Sequence, residues 1–255
     1  MFMHTSFWPG RLKAAGIHLG ISLGVAALAA LLVFYVWYPY PYREISGGRE
    51  LFSLVVAVDV VLGPLLTLAV FNATKSRRVL TLDLAVIGLL QTAALVYGLW
   101  TVMAARPVHL VFEVSRFTVV HAVDIPPEWL AKAPPELQQL PLLGPTSLSI
   151  REFKNNAEQT DATMTAMAGL AVGAQASLWQ SYEKGSNQVL ATARPLAELK
   201  TRFPASADDI DKALRSVAKG MVVGYVPLIG RDKAWTVFVD LKTAEVLAFA
   251  PLDSF

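Results

Sequence analysis

Two acidic residues stand inside long apolar runs and carry the clearest chemical potential in this chain: Asp59 in Val58-Asp59-Val60 and Asp83 in Leu82-Asp83-Leu84. A buried pair of carboxylates is the equipment of an intramembrane aspartyl protease, whose two acids share a proton at about 3 Å. Depth argues against that chemistry here. With about 1.5 Å of rise per residue, Asp59 lies roughly 18 Å and Asp83 roughly 6 Å from the cytoplasmic ends of their runs. The gap of about 12 Å is too wide for two short side chains to share a proton. Asp83 is near enough to the interface, and to Arg77 and Arg78, to snorkel and pair. Asp59 is deeper, where a carboxylate costs about 2.5 to 3.5 kcal/mol on insertion scales. It must be protonated, face other helices, or meet a polar partner, and His18, Ser22 and Gln91 are the candidates. Gly63-Pro64, four residues on, predicts a kink and freed carbonyls beside it. Two readings stand side by side. Asp59 fixes helix packing through an interhelical hydrogen bond, or Asp59, Gly63 and Pro64 dock a membrane helix of another protein, with Asp83, Gln91 and His18 as structural polar groups.

Other candidates are weaker. His109 and His121 fall on what read as facing hairpin strands, but two imidazoles without a third ligand do not define a zinc site. Gly169 and Gly173 have GxxxG spacing in an eleven-residue run too short to span a bilayer, so core packing is the expectation. The chain has no cysteine, which removes thiol catalysis, disulfides and Cys metal sites. There is no GxSxG, HExxH, GxxxxGK[ST] or Rossmann fingerprint. No catalytic, cofactor-binding or metal residue is expected. A net charge of +2 without a basic stripe is too small to argue for nucleic acid, and none is expected as a partner.

The elements that must position Asp59 are three hydrophobic runs, Ile17 to Trp37, Leu51 to Phe71 and Val79 to Met103. Each has about the 20 residues that a transmembrane helix needs, so the lipid bilayer is an expected partner. Composition agrees: 54% of residues are apolar and 16% charged, against about 25% charged in soluble domains. Five Lys/Arg lie before the first run and between the second and third (Arg11, Lys13, Lys75, Arg77, Arg78), while Arg43 and Arg49 occupy the other loop. The positive-inside rule then puts the N-terminus in the cytoplasm and residues 106–255 outside it. Phe7 and Trp8 at the inner interface, and Trp37, Tyr38, Tyr40, Tyr42 and Trp100 at the outer one, are expected aromatic anchors. Arg11 and Lys13 before an apolar stretch with Ala27-Leu28-Ala29 resemble a signal peptide, but hydrophobicity continues to Trp37, so the run reads as an uncleaved span. The loop from Trp37 to Glu50, with Pro39, Pro41, Gly47 and Gly48, reads as a turn at the outer surface.

After Arg106-Pro107 the period changes to two, predicting a hairpin from Val108 to Val114 and Phe117 to Val123. Six prolines in 126–145 predict an irregular connection. Residues 150–183 predict one long or two short helices, Pro195 to Phe203 another, and Ser206, as N-cap, a third that ends at Lys219-Gly220. The tail predicts a three-strand meander in which Pro227 marks an edge strand or one with its amide side free. The expectation is an α+β extramembrane domain, an antiparallel sheet with helices over 106–255, attached to three transmembrane helices within 1–105.

Several blocks of this sequence resemble the type IV pilin accessory proteins of the TfpX/TfpZ type. They are Arg11-Leu12-Lys13-Ala14-Ala15-Gly16-Ile17-His18, Gly47-Gly48-Arg49-Glu50-Leu51-Phe52, the stretch from Val58 to Leu68 with Val70-Phe71-Asn72, and Leu82 to Val86. Others are Ala105-Arg106-Pro107-Val108, Val111 to Phe117, and Tyr225-Val226-Pro227-Leu228-Ile229-Gly230-Arg231. The resemblance implies a bacterial inner-membrane protein, not an enzyme, that supports the stability, assembly or surface display of a type IV pilin. It also implies the pilin as partner, a subunit that rests in the membrane by one N-terminal helix with its globular head outside. A membrane-tethered sensor or transport subunit would share the architecture and is the alternative.

Overall fold

The computed structural model describes residues 8–255; Phe7 lies outside them. The chain divides into two compact units, one made of residues up to Val36 with Gly48–Ala104, the other of Trp37–Gly47 with Ala105–Phe255.

In the first unit, α1 (Trp8–Leu31) runs into a π-helical stretch, Leu32–Trp37. A four-residue helix of the second unit, α2 (Tyr42–Ile45), intervenes before α3 (Gly48–Ala57), a π-helical turn Val58–Leu62, α4 (Gly63–Val70) and α5 (Arg77–Ala104). The continuous helices Trp8–Trp37, Gly48–Val70 and Arg77–Ala104, of 30, 23 and 28 residues, are long and apolar enough to cross a membrane. Their outward faces are aliphatic, with Leu28, Leu65, Leu82 and Leu89 all more than half exposed. The expected disturbance at Pro64 takes a specific form. Proline has no N–H to give and crowds the preceding turn, and the helix relaxes into the wider π turn immediately before it.

In the second unit the strands are β1 (Pro107–Glu113), β2 (Arg116–His121), β3 (Thr146–Ile150), β4 (Trp179–Ser181), β5 (Arg194–Pro195), β6 (Val223–Ile229), β7 (Ala234–Asp240) and β8 (Val246–Ala250). Helices α6 (Pro127–Leu130), α7 (Asn156–Met167), α8 (Ser186–Thr192), α9 (Leu196–Arg202) and α10 (Ala207–Ala213) lie between them. Among the described residues the eight strands form one sheet in the order β4-β3-β1-β2-β6-β7-β8, with β5 paired to β6. The α+β class is as expected, but the sheet is mixed rather than wholly antiparallel: β1 pairs with β3, and β2 with β6, in parallel. Both faces of β1 are covered, which is why all seven of its residues are buried. Leu110 and Phe112 join Phe117, Val226, Leu228 and Val237 in one cluster, while Val108 and Val111 join Val120, Leu148, Ile150 and Trp179 in another.

Three local readings are corrected. The hairpin turn is Val114-Ser115, one residue earlier than expected, with Val114 at φ 53°. Residues 150–183 contain one α-helix, α7, followed by short 3-10 turns; Asn155 caps α7 by accepting from the Glu158 N–H at 2.9 Å, and Gly169 at φ 111° turns the chain after it. The helix begun after Ser206 stops by Ser216, short of Lys219-Gly220, and the Ser206 side chain makes no cap hydrogen bond. Of the two expectations for Pro227, the edge does not hold, because β6 is interior, whereas the free amide side does. Its position falls between Tyr225, the last residue paired to β5, and Leu228, the first paired to β2, so the missing N–H meets a gap in the ladder.

The largest difference concerns the loop between the first two runs. It is no surface turn: α2 sits in the main sheet cluster, with Tyr42 8% and Ile45 1% exposed, and Tyr38 is fully buried. Tyr38 and Tyr42 therefore fill protein interior instead of anchoring at lipid. The Pro39 and Pro41 carbonyls accept the Tyr42 and Glu44 N–H groups at 2.8 Å, which satisfies a backbone that the prolines keep from a longer helix. The Ile45 carbonyl accepts from the Arg231 N–H at 3.0 Å, and a Cβ on Gly230 would press into that carbonyl, so Gly230 is required for the approach. Truncating Ile45 opens a cavity in this core. Ile45→Ala is expected to lower the stability of the second unit by about 2 to 5 kcal/mol, measured by pulse proteolysis of the membrane-reconstituted protein; unchanged stability would show that the segment is dispensable to the core.

Candidate functional site

Asp59 sits on the π turn, 7% exposed, at the side of a cavity of about 170 Å³. The other walls are one face of α1 (His18, Ile21, Ser22, Val25) and one face of α5 (Gly88, Gln91, Thr92, Leu95). In both helices these positions recur at spacings of three and four, so each presents a single stripe to the cavity. In the register of a π turn the Asp59 carbonyl would take the N–H of residue 64, which proline lacks. The Gln91 side chain supplies it instead, donating Nε2–H to the Asp59 carbonyl oxygen at 3.1 Å. Gly63 makes this reach possible: a Cβ there would overlap the Gln91 amide. Gly63 and Pro64 are both buried.

The carboxylate itself is not satisfied. Asp59 Oδ1 is buried and has no hydrogen-bond partner among the described residues. Of its expected partners, Gln91 binds the main chain, and His18 Nδ1 pairs with Thr67 Oγ1 at 2.5 Å. Thr67, 2% exposed and three residues past Pro64, was passed over in sequence although it is polar within an apolar run. Asp83 belongs to a separate cluster. Its Oδ2 accepts from Lys75 Nζ at 2.6 Å, not from Arg77 or Arg78, and Lys75 also donates to the Val70 carbonyl at the end of α4.

In the second unit the two histidines are occupied separately. His109 Nδ1 lies 2.8 Å from Thr146 Oγ1 with its ring edge-on to Trp179; burial pushes its pKa down to about 4, partly offset by the hydrogen bond to Thr146. His121 Nδ1 meets Asp124 Oδ2 at 3.0 Å, and Asp124 also takes Arg231 at 3.2 Å. No group of three His, Asp or Glu able to hold a metal occurs among the described residues. Gly173 packs beside Val111 and Val120, and its carbonyl accepts the Trp179 indole N–H at 2.8 Å. A buried acid that sequence reasoning missed is Glu113, whose Oε1 accepts from Thr118 at 2.6 Å and Arg116 at 2.9 Å.

A family model described as "Fimbrial assembly protein FimB" matches residues 6–47, the stretch that holds α1 and α2. The serogroup I fimbrial assembly protein of Dichelobacter nodosus is 35% identical over 246 residues, 95% of each chain, and the serogroup E1 protein is 32% identical over the same length. The chain belongs to the fimbrial assembly protein family. The fimbrial assembly protein of serogroups C1 and C2 is 42% identical over 113 residues, 44% of this chain and 86% of that one. No solved structure matches. Membership agrees with the resemblance to the type IV pilus accessory proteins and supports a role in fimbrial assembly.

Because Gly63 exists to admit Gln91, the two should be coupled. Gly63→Ala is expected to lower the thermal stability of the helical unit in detergent, and Gly63→Ala with Gln91→Ala to recover part of that loss; strict additivity in the double-mutant cycle would contradict the contact.

Proposed function

We propose that this fimbrial assembly protein is an inner-membrane accessory that holds a type IV pilin before or during pilus assembly. The helical unit receives the membrane helix of the pilin at Asp59, Gly63 and Pro64, and the second unit lies in the periplasm beside the globular head. The observation that carries this reading is the buried Asp59 carboxylate oxygen without a partner. Such a group costs several kcal/mol in hydrocarbon, and a hydrogen bond from an incoming helix would relieve that cost. The Lys/Arg distribution supports a cytoplasmic N-terminus. Because residues 37–47 and 105–255 share one core, they lie on the same side, which supports two crossings between them. The boundary between membrane and periplasmic parts therefore falls at residue 105 with residues 37–47 added to the periplasmic side. A non-catalytic role is supported by the similarity to fimbrial assembly proteins, and Asp83 is engaged by Lys75. Since β6 is interior, it offers no free edge to the pilin head.

Co-purification of the cognate pilin from native membranes tests the reading. One interhelical hydrogen bond in a membrane contributes about 0.6 to 2 kcal/mol, so Asp59→Leu should cut pilin capture about threefold or more. Asp83→Asn should leave capture intact. Equal capture by wild type and Asp59→Leu would refute the proposal.

A further inference from the structure

In the helical unit the middle helix carries both of the others: α1 packs on α4 and the π turn, while α5 packs on α3, the π turn and α4. The stripes His18, Ser22, Val25 and Gly88, Gln91, Thr92, Leu95 flank the cavity, with Asp59 between them. Most polar side chains of this cleft are engaged within the unit. Gln91 spends an amide hydrogen on the Asp59 carbonyl, Thr92 spends its hydroxyl hydrogen on the Gly88 carbonyl at 2.8 Å, and His18 Nδ1 is paired with Thr67. Among the polar atoms of the lining residues, Asp59 Oδ1 is the one that is buried without a hydrogen-bond partner among the described residues.

We infer that this cleft is selective for a single transmembrane helix that carries a hydrogen-bond-donating side chain at the depth of Asp59. The inference rests on the proposed docking of the pilin helix and specifies what that helix must present. Acyl chains fit the apolar walls but have no donor for the carboxylate. A second copy of this chain fits no better. Of its exposed residues at this depth, Ile21, Leu23, Leu28, Val61, Leu62, Val86, Leu89 and Leu90 are aliphatic, and Thr92 has its hydroxyl hydrogen on the Gly88 carbonyl. A partner helix with an amide, hydroxyl or protonated carboxyl at mid-span satisfies Asp59 and leaves its remaining surface to lipid and to the aliphatic walls.

Synthetic membrane-spanning peptides test this without the pilin. An all-leucine peptide, the same peptide with one central asparagine, and a third with that asparagine moved seven residues toward one end are each labelled for energy transfer to the full-length chain in lipid vesicles. The central-asparagine peptide should bind the wild type at least threefold more tightly than either of the others. That preference should vanish in Asp59→Leu and survive in part in Asp59→Asn, which keeps a carbonyl acceptor and guards against a fold defect. Equal binding of the three peptides overturns the inference, as does self-association of the wild-type chain that Asp59→Leu abolishes. Peptide selectivity with Asp59-independent pilin capture would sink the pilin reading alone, and Asp59-dependent capture without peptide selectivity would sink this inference alone.

Discussion

One hydrophobic core built from two distant stretches of chain governs the rest of this structure. Tyr42 and Ile45, just past the first long helix, share a cluster with Leu110, Phe112, Leu228 and Val237. Between the two stretches lie about 57 residues that form only the second and third long helices. If those helices cross a bilayer, they must do so as a pair, because a single crossing would strand half of the core on the wrong side. Burial of two tyrosines and an isoleucine thus supplies a topological argument that is independent of the Lys/Arg count. It also links folding of the second unit to the long helices through the chain itself, since residues 37–47 follow the first of them and residues 105–255 follow the third.

The helical unit follows from proline in a comparable way. Pro64 removes one N–H, the preceding turn widens, the Asp59 carbonyl loses its helical donor, and Gln91 from α5 replaces it across Gly63. Each step forces the next, and the sequence places the Asp59 side chain beside a cavity with nothing to accept from. Helices knit in this way spend their polar groups on their own backbone, as Gln91 and Thr92 do, or on one another, as His18 does with Thr67. The carboxylate is the exception, which is why function is sought there and not at Asp83, whose partner Lys75 is at hand.

Much of this was legible in residue order, and what was not has physical causes. The three spans, the hairpin after Pro107, β7 and the α+β class follow from hydrophobic period and turn residues, which act locally. Asp59, Gly63 and Pro64 were legible because a charge and a proline inside an apolar run are costly and stand out. The partners were not: Lys75 instead of Arg77 or Arg78 for Asp83, and Thr67 instead of Asp59 for His18, depend on helix rotation, which period alone leaves free. The parallel pairings of β1 with β3 and β2 with β6 were hidden because register between distant segments leaves no local trace. The segment 37–47 misled for a related reason. Its prolines and tyrosines suit an interfacial turn equally well, and only the uncovered face of a sheet formed 60 or more residues later decides the matter.

The absence of native cysteine makes a direct test of the central claim simple. Single cysteines at Tyr40, at Ser76 and at Leu143, the last of these 81% exposed, can be probed in spheroplasts with a membrane-impermeant maleimide. The account expects labelling at 40 and 143 from outside and at 76 only after lysis. Labelling of 40 and 143 from opposite sides, or of 76 from outside, would contradict it.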